Sequence, residues 1–178
     1  DVFAYIYGLL HHKSYTGKYA DNLRRELPRI PIRHDFYEIL KLGQKLLDLH
    51  LGWDTGICPK SHYKLQTQVP QKAVKTVKYS LKSRPSEGII EISNALKVVG
   101  IPRTAWDYKL GGRSAIDWVL EFYKESKNRY KDESLAGLVA QGKLPEYRLA
   151  DYEAELLDTL ERVIHISVET QALLAHTY

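Results

Sequence analysis

The stretch from Leu149 to about Ala175 constrains the fold most. Leu156, Leu157, Leu160, Val163, Ile164, Ile166 and Val168 recur at helical spacing between charged and polar residues. That pattern predicts one long amphipathic helix with an apolar face to bury. The wall it needs is expected from the N-terminal helices, packed with it around a small sheet made from about 74–99.

The rest of the chain reads as shorter elements. Val2 to His11 is apolar and aromatic at i, i+3, i+4 spacing, and Ser14 is placed to cap a second helix running towards Arg25. Pro28 and Pro31 then force an extended path. Asp35 is the expected N-cap of a helix over Phe36 to His50, closed by Gly52. Val74 to Leu81 alternates loosely. Gly88–Ile92 and Ala95–Val99 read as strands joined at Ser93-Asn94. A helical turn around Thr104 to Tyr108, a Gly111-Gly112 turn and a helix capped by Ser114 and running to about Lys124 follow. Residues 128–143 read as a loop with one turn near Leu135 to Ala140. The fold class is therefore α+β: N-terminal helices, a small mainly antiparallel sheet and a long C-terminal helix. It divides into a helical part (1–54), a basic α/β part (55–148) and the C-terminal helix (149–178).

Composition excludes several classes. A hydrophobic fraction of 44% allows a real core, and no apolar run approaches the length of a membrane span. Neither a basic n-region nor a secretory apolar stretch opens the chain. The single cysteine, Cys58, rules out an internal disulfide and fits a reducing cytoplasm. The absence of methionine, and a helical pattern already under way at Val2, give the expectation of a fragment of a longer protein.

Catalytic and metal signatures are missing from the reading. There is no phosphate-cradling Gly-x-x-x-x-Gly-Lys loop, no Gly-x-Gly-x-x-Gly, and no Asn-Pro-Pro-Tyr or Asp-Pro-Pro-Tyr segment to hold a flipped adenine. Asp117 with Glu125 and Lys127 imitates a nuclease set but lies across an amphipathic helix and its exit. His11 and His12 face apart on a helix, Cys58 and His62 lack a second pair, and His165 reads as a satisfied buried or half-buried imidazole. No catalytic residue, metal ligand or cofactor is therefore assigned.

Charge is unevenly spread. Between Thr55 and Ser86 there is no acid, while Lys60, Lys64, Lys72, Lys75, Lys78, Lys82 and Arg84 supply seven positive charges. The tail from Pro145 to Tyr178 carries a net charge of −5. This polarity suits one face for a polyanion and another for solvent or a neighbouring domain. Tyr63 and Tyr79 lie within the basic run and read equally as groove aromatics or core-edge residues. Tyr5, Tyr7, Tyr19, Tyr108 and Tyr123 read as structural.

Phe3–His11, Tyr19-Ala20 and Leu23–Pro31, then Leu47, Leu49–Leu51, Gly100–Pro102, Ala105–Tyr108, Gly112–Trp118 and Val168–Thr170, together resemble the C-terminal region of type ISP restriction–modification enzymes. The matches run from residue 3 to residue 170. They depart at Gly111, where the family pattern has Asn, and after Tyr123. The resemblance implies a target-recognition domain that reads double-stranded DNA. Its parent polypeptide would carry a nuclease, a helicase-like ATPase motor and an adenine-N6 methyltransferase, needing S-adenosylmethionine, ATP and Mg. The methyltransferase and motor domains would be its partners within that polypeptide.

Such a domain needs phosphate contacts for register and base-edge contacts for sequence. The candidates are Lys60, Lys64, Lys72, Lys75, Lys78 and Lys82 for phosphates, Arg84 and Arg103 for guanine, and Gln68 or Gln71 for adenine, with Gln66 and Asn94 nearby. Arg113 has two readings. It either holds a phosphate at a helix start or pairs locally beside the Gly111-Gly112 turn and the Ser114 cap, and the structural reading is favoured. Two competing functions are a helical scaffold that docks on the methyltransferase domain without base readout, and a degenerate nuclease.

Overall fold

The computed structural model describes residues 1–53, 66–67, 76–125, 133–175 and 177. Two helices, α1 (Val2–His11) and α4 (Phe36–Leu51), cross at their smallest residues. A Cβ built on Gly43 would lie 1.7 Å from the Ala4 carbonyl oxygen, and one on Gly8 would lie 2.3 Å from the Ile39 carbonyl oxygen. Only glycine lets the two backbones approach this closely. Around the crossing, Tyr5, Leu9, Tyr15 and Ile39 form a small core.

The segment between these helices is tied down by side chains. The short helices α2 (Lys13–Lys18) and α3 (Ala20–Leu23) break at Tyr19. Ser14 therefore lies inside α2 and caps nothing; its Oγ is engaged by the His12 ring at 2.9 Å and the Arg33 guanidinium at 3.1 Å. The proline-punctuated strap, residues 27–33, is neither helix nor strand. The Tyr5 and Tyr15 hydroxyls donate to the Pro31 and Arg29 carbonyls and hold it. Asp35 occupies the N-cap position of α4, but its carboxylate is spent on a bidentate pair with Arg33 at 2.9 and 2.8 Å. The Arg33 hydrogen bond holds that carboxyl below its usual range. At the other end, Ser14 and Lys13 donate their backbone N–H groups to Thr177, at 3.2 and 3.3 Å, so the C-terminus covers the open end of α2.

The sheet has the antiparallel order β1-β4-β3-β2, from β1 (Gln66–Thr67), β2 (Tyr79–Arg84), β3 (Ile89–Ser93) and β4 (Lys97–Val99). The first strand of the central hairpin starts at Tyr79, later than the loose alternation from Val74 suggested; Thr76 to Lys78 stay outside it. Gly88 is a turn residue (φ 65°), and its carbonyl accepts the Ile101 N–H at 3.0 Å. The connection after β3 spans Asn94 to Leu96. A single 3-10 turn at Arg103–Trp106 buries Trp106, whose indole N–H donates to Ser83 Oγ at 2.7 Å.

Next comes a two-stranded hairpin, β5 (Lys109–Leu110) and β6 (Arg113–Ser114), leading into α5 (Ala115–Tyr123). The Ser114 side chain accepts the Asp117 N–H at 3.1 Å and returns its hydroxyl to the Asp117 carboxylate at 2.7 Å, a reciprocal cap. The region expected to be mostly loop contains a full helix, α6 (Glu133–Ala140). The final pattern resolves into a 3-10 turn at Leu149–Tyr152 and α7 (Glu153–Leu174).

With 22 residues, α7 is about 33 Å long. Leu156, Leu160 and Ile164 are fully buried in the main core with Ile90, Ile92 and Val98 of the sheet and Ile116 and Leu120 of α5. Its C-terminal half meets α4 through His50, whose Nε2 is 2.8 Å from Thr170 Oγ1 and whose Nδ1 is 2.6 Å from the Tyr7 hydroxyl. Three helices thus meet at one imidazole. Arg162 pairs with Asp158 at 2.9 Å and reaches the Trp53 carbonyl at 3.0 Å. His165 is buried as expected, yet its Nδ1 has no partner among the described residues. Among those residues no helix is long and apolar enough to cross a membrane.

Three expectations follow. Gly43→Ala should cost about 2–3 kcal/mol or more, because backbone rather than a pliable side chain must move. Gly137→Ala, inside α6 with open space around it, should be neutral or stabilise by up to about 1 kcal/mol. Leu160→Ala should cost roughly 2–5 kcal/mol; urea titrations of the three variants check all of these. Burial, and then the nearby His11 charge, lower the His50 pKa from 6.5 to about 4. The unfolded chain therefore binds the proton more readily, so this stabilisation is full above pH 6.5 and is lost as pH falls towards 4. Urea midpoints between pH 7 and 5 should fall less steeply for His50→Gln than for the unmutated chain.

Candidate nucleic-acid interface

Strand β2 carries the described end of the basic run. It alternates in burial, with Tyr79, Leu81 and Ser83 half-buried and Ser80, Lys82 and Arg84 exposed. The inward residues are structural. The Tyr79 hydroxyl donates to Glu153 of α7 at 2.8 Å, and burial together with that carboxylate pushes its pKa up to about 12. Of the two readings of Tyr79, the core-edge one therefore holds.

The outward residues form a charged lattice. Register pairs Lys82 with Glu91 and Glu91 with Lys97 across three strands. Arg84 is drawn to Glu91 at 3.1 Å and to Glu87 at 3.2 Å, while Lys97 lies 3.6 Å from Glu91. Two carboxylates thus occupy the guanidinium that was a candidate for reading guanine. Lys82 has no carboxylate within 4 Å among the described residues and stays exposed, as does Lys78 just before the strand. Asn94 is occupied too. Its Oδ1 accepts the Lys78 N–H at 2.9 Å and its Nδ2 donates to the Thr76 carbonyl at 3.0 Å, clamping the lead-in to β2.

Arg103 is exposed on its 3-10 turn. Arg113 is exposed on β6, with its guanidinium carbon 5.4 Å from the centre of the Trp118 ring. The expected turn and cap flank it, but its partner is an aromatic ring and not an acid. A cavity of about 280 Å³ is lined by Leu81 and Ser83 of β2, Arg113 of β6, Asp117, Leu120 and Glu121 of α5, and Lys124. Lys60, Lys64, Gln68, Gln71, Lys72 and Lys75 lie outside the described residues, as do Tyr63, Cys58, His62 and Lys127. Gln66 lies on β1.

The structure therefore places Lys82 and Arg84 on β2 with Lys78 just before it, and puts Arg103 on the 3-10 turn and Arg113 on β6. Of the residues that imitate a nuclease set, Asp117 takes the Ser114 hydroxyl and Glu125 accepts the Leu149 N–H at 2.7 Å, while Lys127 lies outside the described residues. The sequence reading missed the exposed Trp118 beside Arg113. Its signal was available in the Lys109-Leu110-Gly111-Gly112-Arg113-Ser114 run, a two-residue hairpin followed by an N-cap.

Comparisons with known proteins bear on this arrangement. No curated protein matches significantly. The chain is 33% identical, with a TM-score of 0.79 over 100% of its length, to a chain in a cryoEM structure of a DrdV–DNA complex, of which it spans 18%. It is 26% identical, with a TM-score of 0.63 over 99% of its length, to a nuclease-deletion mutant of the Type ISP restriction–modification enzyme LlaGI in complex with a DNA substrate mimic, spanning 16% of that chain. The ATP-dependent Type ISP enzyme LlaBIII bound to DNA shares the fold at 24% identity and a TM-score of 0.66, with 11% of its chain spanned. Less than a fifth of each of these longer chains is represented. The family model of the Type ISP C-terminal specificity domain matches residues 1–159, and the chain belongs to that family.

Proposed function

We propose that this chain is the target-recognition module of a restriction–modification polypeptide and binds double-stranded DNA in a sequence-specific way. The observation that carries the reading is the specificity-domain family match over residues 1–159, joined by likeness along 99–100% of the chain to parts of enzymes held in complex with DNA or a DNA substrate mimic. The acid-free run from 55 to 86 supports it, since seven cations without an acid attract a polyanion.

The proposal extends to the parent. A nuclease, a helicase-like ATPase and an adenine-N6 methyltransferase would lie in the remainder of the polypeptide, together with the S-adenosylmethionine, ATP and Mg they use. This module itself would be non-catalytic and cytoplasmic. The scaffold reading draws support from the exposed Val2 and Phe3 on α1, which are 71% and 67% accessible and offer an apolar edge to a neighbouring domain. The two roles are compatible on different faces.

Phosphate contacts are assigned to the basic run, and base readout to Gln68, Gln71 and Arg103. Arg84 reads a base only after Glu87 and Glu91 release it, so it serves better as a brace of the sheet face. Lys72→Glu with Lys75→Glu should weaken duplex binding several-fold or more. Each lost phosphate contact should also flatten the plot of log K against log salt by about 0.9. Filter binding or anisotropy at several salt concentrations reads both quantities. An unchanged affinity and slope would leave the scaffold role in front.

A further inference from the structure

The β5–β6 hairpin is built around a tip without side chains. Gly111 and Gly112 hold φ values of 62° and 97°, the two positive dihedrals that a type I′ loop requires. A Cβ added at either would meet nothing within 4 Å, so the tip stands clear of the rest of the domain. Lys109, Leu110 and Arg113 on its strands are all exposed. Leu110 and Arg113 are register partners and so share one face.

Trp118 supports the hairpin from α5. Its indole N–H donates to the Leu110 carbonyl at 2.8 Å, while the Arg113 guanidinium lies over its ring. The indole remains 46% exposed, so the pair sits at the surface and not in the core. Among the described residues neither Lys109 nor Arg113 has a carboxylate within 4 Å, unlike Arg84, Lys97 and Arg162. Asp117, the acid nearest to Arg113 in sequence, is bonded to the Ser114 hydroxyl.

A guanidinium with one face on a ring keeps its N–H edge free and loses less side-chain freedom when it binds. Two unneutralised cations flanking a slim two-stranded ribbon match the width and charge of a DNA groove. We propose that the β5–β6 hairpin is a duplex-DNA contact of this domain. Arg113, aimed by Trp118, and Lys109 meet phosphate or groove-edge acceptors. The assignment rests on the DNA-recognition reading and adds a contact surface outside the basic run.

The test measures duplex binding against salt for the polypeptide that carries this chain, compared with its Lys109→Ala/Arg113→Ala variant. Both side chains are exposed, so circular dichroism and thermal unfolding of the variant should match the unmutated protein. Binding should weaken several-fold, and the salt slope should flatten by about one to two. A loss uniform across sequences assigns the contact to phosphates; a loss confined to one sequence assigns it to base edges. As a second readout, duplex should alter indole fluorescence, and that change should shrink in Trp118→Phe. Unchanged affinity and slope, with the fluorescence change intact in Trp118→Phe, would overturn the hairpin assignment and leave DNA binding by the domain standing. An unmutated protein with no salt-dependent binding would overturn both readings.

Discussion

Burial of one face of α7 is the constraint on which the rest of the structure depends. Leu156, Leu160 and Ile164 are wholly withdrawn from water, and each methylene so buried is worth about 0.8 kcal/mol. The sheet has only one apolar face and could not stand alone. It is stable because α5 and α7 close that face, with Tyr79 anchoring the sheet to Glu153 and Tyr123 anchoring α5 to Glu155 at the start of α7. The C-terminal half of the same helix receives α4 through Thr170 and His50. Helical and sheet parts are thereby fixed to one rod, and the outward face of β2 is held at a set position along it.

That arrangement separates scaffold from contact surface. Inward residues of β2 bind to the core, and outward ones face solvent in a lattice where Glu91 neutralises part of the positive charge of Arg84 and Lys97. Among the described residues, Lys78 before β2, Lys82 in its middle, Arg103 on the 3-10 turn, and Lys109 and Arg113 of the hairpin have no acid within 4 Å and are spread along the domain's sequence. A spread of this kind fits a long groove better than a compact anion pocket, because duplex DNA presents phosphates along its length.

Local chemistry was legible in the sequence and long-range pairing was not. The Ser114 cap, the Gly111-Gly112 turn, the proline strap and α7 each depend on residues a few positions apart, and each was readable. The crossing of Gly8 over Gly43 was hidden, because a glycine in a helical pattern looks like a weak helix former until its partner is known. The pairing of Arg84 escaped for a related reason. Glu87 lies one residue beyond the acid-free window, and Glu91 reaches Arg84 only once β2 and β3 are in register. The cap assigned to Ser14 failed because α2 begins one residue earlier, at Lys13, and the Ser14 hydroxyl is engaged by the neighbouring His12 and by Arg33 across the fold.

Sequence-specific recognition of duplex DNA is the central claim, and selection from a pool of randomised duplexes by the polypeptide that carries this chain, followed by sequencing, tests it most directly. If the domain reads duplex DNA by sequence, one short motif should be enriched at physiological salt. That enrichment should disappear when residues 1–178 are replaced by the specificity domain of a relative with a different target. A pool that emerges without enrichment, or a motif that survives the replacement unchanged, would contradict the claim.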